Sequence, residues 1–118
     1  MSMLRTLIIA IVVSIGLAGA SSAQTREGAD FISGRWVFAG QYENGDDSIN
    51  FWTVFSPDGT CVDRDNYRCR WIISGSSFVM FYPDESELGY VGAISGQNIS
   101  GRFSGKDSAG VFRMARGN

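Results

Sequence analysis

From Gly34 onward the chain is broken, at roughly 8–12-residue spacing, into short runs in which apolar and polar side chains alternate. A period of two places every second side chain on the same face of an extended strand, so each run reads as a strand with one buried face. The runs are residues 34–42, 48–55, 60–63, 67–74, 77–82, 88–95, 98–104 and 109–116. Between them lie turn-forming groups: Asn44-Gly45, Ser56-Pro57-Asp58-Gly59, Gly75-Ser76, Gly96-Gln97 and Gly105-Lys106-Asp107-Ser108, with Pro83-Asp84-Glu85-Ser86-Glu87 as an acidic loop. No stretch after the leader carries a helical period with caps at both ends. Connections this short join sequential antiparallel neighbours, and none is long enough for a Greek-key crossover. The pattern therefore predicts an all-β fold, a small antiparallel up-and-down β-barrel of about eight short strands whose closure removes both exposed edges.

The first residues belong to a different regime. Arg5 supplies a positive charge, residues 7–17 are almost wholly apolar, and small residues follow at Ala18, Gly19, Ala20, Ser21, Ser22 and Ala23. That is the layout of a cleaved export signal, with Ser21-Ser22-Ala23 placing the cut before Gln24. A spanning helix needs about 20 apolar residues, and no cluster of Lys or Arg follows to stop transfer. Ala20 stands where a lipoprotein would carry its lipidated cysteine. The expectation is a signal peptide over 1–23, a flexible lead-in over 24–33 and a barrel domain over 34–116, in a soluble periplasmic or secreted protein with no membrane anchor in its mature form.

Composition removes several functions. The 118 residues hold no histidine, which excludes Ser-His-Asp and Cys-His catalysis and histidine-ligated metals. Ten basic residues face twelve acidic ones, and the leader removes one of the ten, so no basic surface for nucleic acid is expected. Asp46, Asp47, Asp63, Asp65, Asp84, Glu85 and Glu87 group in or beside turns without calcium-loop spacing, and read as solvated surface charge. Lys106, the sole lysine, lies in a loop. No cofactor, metal or catalytic residue is expected, and the chain reads as a non-enzyme.

Cys61 and Cys69 are the only cysteines. A three-residue loop of Arg64, Asp65 and Asn66, with Asn66 in the left-handed region, would pair 63 with 67 and 61 with 69, setting the sulfurs face to face. A redox-active pair is the alternative, but the spacing is not C-x-x-C. Export to an oxidising compartment favours a structural disulfide.

Three Trp, four Tyr and eight Phe make aromatics the loudest feature. Most alternate with polar neighbours and should fill the barrel. Trp36, Tyr42, Phe51, Trp71 and Tyr90 are the expected walls of a ligand pocket, whereas Trp52 and Phe81, on the opposite face from Phe51 and Met80, are expected to form an exposed partner surface.

Gly34-Arg35-Trp36, opening the first strand, resembles the G-x-W start of the lipocalins and the wider calycin superfamily. The resemblance implies a tryptophan that closes the barrel base beneath an arginine of the last strand, Arg113 or Arg116, with Arg113 assigned to the stack. The chain also resembles the small periplasmic inhibitors of serralysin-type metalloproteases in size, export signal, early G-x-W and single disulfide. That resemblance implies that residues 24–33 would enter a protease cleft. The function expected is thus an exported, non-catalytic binding or interaction module, taking a small apolar molecule or a protein partner. The alternative is a periplasmic protease inhibitor acting through its N-terminal tail and loops.

Overall fold

Alternation along the sequence becomes alternation of burial in the structure, a computed structural model that describes residues 25–45, 47–84 and 88–117. Eight strands follow in order: β1 (Gly34–Tyr42), β2 (Ser48–Phe55), β3 (Thr60–Asp63), β4 (Arg68–Ser74), β5 (Ser77–Phe81), β6 (Gly89–Ser95), β7 (Asn98–Ser104) and β8 (Ala109–Arg116). Each pairs antiparallel with the next, and β8 pairs back onto β1, closing an up-and-down barrel. In β4 every second residue is buried, from Cys69 through Trp71 to Ile73, and β8 buries Gly110, Phe112 and Met114 in the same way. The expected export leader over 1–23, Gln24, Asp46, Glu85 and Glu87 lie outside the described residues.

The interior is a packed aromatic column. Phe38 stacks on Phe51 at 4.6 Å between ring centroids, and Tyr90 meets Phe112 edge-on at 5.2 Å. Phe55 and Phe78 make a further edge contact at 6.1 Å, and Met80, Ile99 and Met114 fill the spaces between rings. Small barrels fill their interiors with side chains in this way. The bulk of Phe112 is accommodated by two glycines set opposite each other, Gly92 on β6 and Gly101 on β7. A Cβ at Gly101 would strike the Val91 carbonyl and the Gly92 Cα, and one at Gly92 would come within 3.1 Å of the Phe112 ring. Glycine here permits the tight curl of the sheet.

The disulfide hairpin forms as the spacing predicts. Cys61 pairs with Cys69 in register and the two are bonded. Asn66 takes φ 69°, its amide donates to the Asp63 carbonyl at 2.9 Å, and the Asp63 amide donates to the Tyr67 carbonyl at 3.0 Å.

One element departs from expectation. The lead-in folds as α1 (Arg26–Ile32), a seven-residue helix whose N-cap Thr25 accepts from the Gly28 amide at 2.9 Å. Two turns repeat too few times to show a helical period in sequence. Gly28, Ala29 and Ile32 are nonetheless buried, and Gly28 sits against Ile73 of β4. No helix among the described residues is long and apolar enough to cross a membrane.

Candidate functional site

The two ends of the barrel are built differently, and the predicted site residues divide between them. At the base, Trp36 is wholly buried, its indole N–H donating to the Ile32 carbonyl at 2.8 Å, with Phe31 tilted against its ring at 5.3 Å. Arg116 lies over the same indole, its guanidinium carbon 5.0 Å from the ring centroid, and donates to the carbonyls of Ser33 and Phe31. Trp71 is equally buried and donates its indole N–H to the Ser56 carbonyl, in the β2–β3 turn, at 2.9 Å. Neither tryptophan lines the cleft at the other end described below; both are part of the closure of the base, with their polar atoms satisfied. The arginine of the stack is Arg116, not Arg113. Phe112 and Met114 share a parity with 116, so the alternation puts Arg116, itself exposed at the barrel end, over the Trp36 ring and turns Arg113 to the outer wall.

The opposite end is open. Tyr42, Phe51 and Tyr90, the other three expected wall residues, come together there with Ile49, Asp63 and Tyr82 around a cleft of about 410 Å³. Arg64 and Tyr67 stand at its rim. That volume lies in the range of small-molecule sites, and the lining mixes aromatic rings with polar and charged groups, Ser48, Asn50 and Asp65 among them.

Asp63 is the group the sequence reading placed among solvated turn acids. It is 8% exposed, and its carboxylate is held on two sides. Oδ1 accepts from the amides of Asp65 and Tyr67 at 2.9 and 3.0 Å, and Oδ2 accepts from the Tyr82 hydroxyl at 2.9 Å. Its position was readable: counting by two from the inward Cys61 puts residue 63 inside. Burial, with the nearby Asp63 charge second, raises the Tyr82 phenol well above the ordinary tyrosine range. Tyr90 is raised mainly by burial, and then by Tyr42 and Asp63. Both phenols therefore stay protonated at neutral pH.

Tyr90 stands out. It is 5% exposed, its ring packs on Phe103, Phe112 and Phe38, and its hydroxyl faces the cleft without a hydrogen-bond partner among the described residues. The Tyr42 hydroxyl is in the same condition, its ring set edge-on to Phe103 at 5.5 Å.

The expected partner surface does not form as one patch. Trp52 and Phe81 face outward but are half-buried, and they stand on β2 and β5, three strands apart. Arg35 covers Trp52, with its guanidinium carbon 5.4 Å from the ring centroid. The exposed apolar residues of the wall are mainly valines, Val91 the most open at 61%. Between them the outward strand positions carry Arg35, Arg68, Arg70, Arg102 and Arg113, and no carboxylate. The acids lie instead in the loops and on α1, which carries Glu27 and Asp30.

Compared with protein-family models and with curated proteins, the chain matches none.

Proposed function

We propose that the chain is exported, by its leader, to an oxidising compartment and works there as a non-catalytic binding module whose open-end cleft takes a small molecule with an apolar body. The carrying observation is the contrast within one barrel between a filled interior and a cleft at one end, lined by Tyr42, Phe51, Tyr82 and Tyr90. Aromatic walls with a few fixed polar groups suit recognition of a small ligand. The cross-strand disulfide suits an exported domain with little core to spare. The described part of the lead-in is packed on the base through Gly28, Ala29 and Ile32. A protease cleft entered by that segment would first have to unfold α1, so the tail-insertion reading gains no support here.

The neutral fluorescent probe N-phenyl-1-naphthylamine tests the binding reading. It is expected to brighten with the protein, to lose most of that signal with Tyr42→Ala at the cleft, and to keep it with Trp36→Phe at the base. No enhancement, or one indifferent to Tyr42, would overturn it.

A further inference from the structure

We propose that the open-end cleft selects organic cations, with a primary ammonium group seated among the Tyr42 hydroxyl, the Tyr90 hydroxyl and Asp63 Oδ2, and with the attached apolar body against Phe51 and Ile49. This rests on the binding reading above and names the chemistry of what is bound.

Four features of the site point the same way. The first is Tyr90, a residue only 5% exposed whose hydroxyl lies open to the cleft and has no hydrogen-bond partner among the described residues. A hydroxyl held in place by a packed ring offers a ligand a preorganised hydrogen-bond partner, which lowers the cost of ordering on binding. The second is the count of acceptors. An ammonium has three N–H donors and no acceptor. The two free tyrosine hydroxyls and the remaining lone pair of Asp63 Oδ2, beyond the one taken by Tyr82, supply three acceptors around one cleft. The third is the aromatic lining. The half-exposed rings of Tyr42 and Phe51 carry negative quadrupole density, which attracts a cation and gives nothing comparable to a neutral group.

The fourth is the sorting of charge over the surface. The wall bears the arginines, while the loops of the open end bear Glu43, Asp47, Asp65, Asp84 and Asp107 around the buried Asp63. Arg64, the cation on the rim, has its guanidinium 4.0 Å from the Asp65 carboxylate, and Lys106 adjoins Asp107 in the β7–β8 loop. The mouth is therefore a negative funnel that raises the local concentration of cations and repels carboxylates.

A matched series of one ring with three end groups reads the preference: 2-phenylethylamine, 2-phenylethanol and phenylacetate, titrated by calorimetry against the full mature protein. Amide chemical shifts locate each at the cleft. The amine is expected to bind at least about tenfold tighter than the alcohol, and phenylacetate more weakly than either. Tyr90→Phe, which keeps every ring contact, is expected to cut amine affinity about threefold to tenfold while alcohol affinity stays within about twofold. Asp63→Asn is expected to remove most of the amine's advantage. Should that variant unfold through loss of the hairpin contacts, Tyr90→Phe alone still decides. Alcohol and amine binding equally well at the cleft would sink the selectivity for cations and leave the binding reading standing. The same holds for tightest binding by phenylacetate. Absence of shifts at Tyr42, Asp63 and Tyr90 with all three probes would sink both.

Discussion

The base and the mouth of the barrel use the same materials to opposite ends. Both hold large aromatic side chains with a polar atom and one charged partner. At the base, each indole N–H is donated to a main-chain carbonyl, and Arg116 is locked between an indole ring and two carbonyls. At the mouth, two tyrosine hydroxyls are unmatched and Asp63 keeps an accepting position facing a cleft. Polar groups that are all matched within the chain stabilise a fold; polar groups left open at a cleft are available to a ligand. The difference separates a structural end from the end proposed to bind, although both begin as tryptophans and tyrosines at strand ends.

Three variants break or sharpen that contrast. Trp36→Ala at the base empties the site under α1 and Arg116, and urea unfolding should show a loss of about 3–5 kcal/mol. If the loss is under about 1 kcal/mol, the base is not the structural end. Replacing Cys61 and Cys69 together by Ala frees the hairpin that carries Asp63, with an expected cost of about 2–3 kcal/mol by chain entropy for so short a loop. Because Asp63 lies two residues from Cys61, binding at the mouth should weaken in the same protein under conditions where it is still folded, which Trp36→Phe should not cause. The smallest effect is a gain. Thr53 is wholly buried and its hydroxyl is without a partner. Thr53→Val keeps the shape and removes the unmatched group, so stability should rise by about 1 kcal/mol, measured by the shift in denaturation midpoint.

The strands, their boundaries to within a residue, the up-and-down order and the Cys61–Cys69 register were all legible, because each is set by alternation and by turn chemistry acting over a few residues. What sequence could not supply was height along the barrel. In register, Arg116 lies opposite Trp36, Trp36 opposite Thr53, and Thr53 opposite Asp63. That single row starts under the base and ends at the mouth, since the strands are inclined and staggered. Alternation says which side chains point in; it does not say which end they reach. Trp36 and Trp71 were therefore grouped with Tyr42, Phe51 and Tyr90 although they close the other end. Two misses were avoidable by parity alone, Arg116 in place of Arg113 and the inward Asp63. The helix α1 was not avoidable, for its seven residues include Gly28 and hold too few repeats.

The pairing of β8 with β1 has a consequence for how the molecule is made. The first strand of the cylinder has no neighbour on one side until the final one arrives, some seventy-odd positions later in the chain. Synthesis or threading that pauses before Ala109 leaves a curled ribbon with two raw edges, each able to capture a second chain. Only the closing of that seam buries both edges, so the last strand to be made is the one that protects the first.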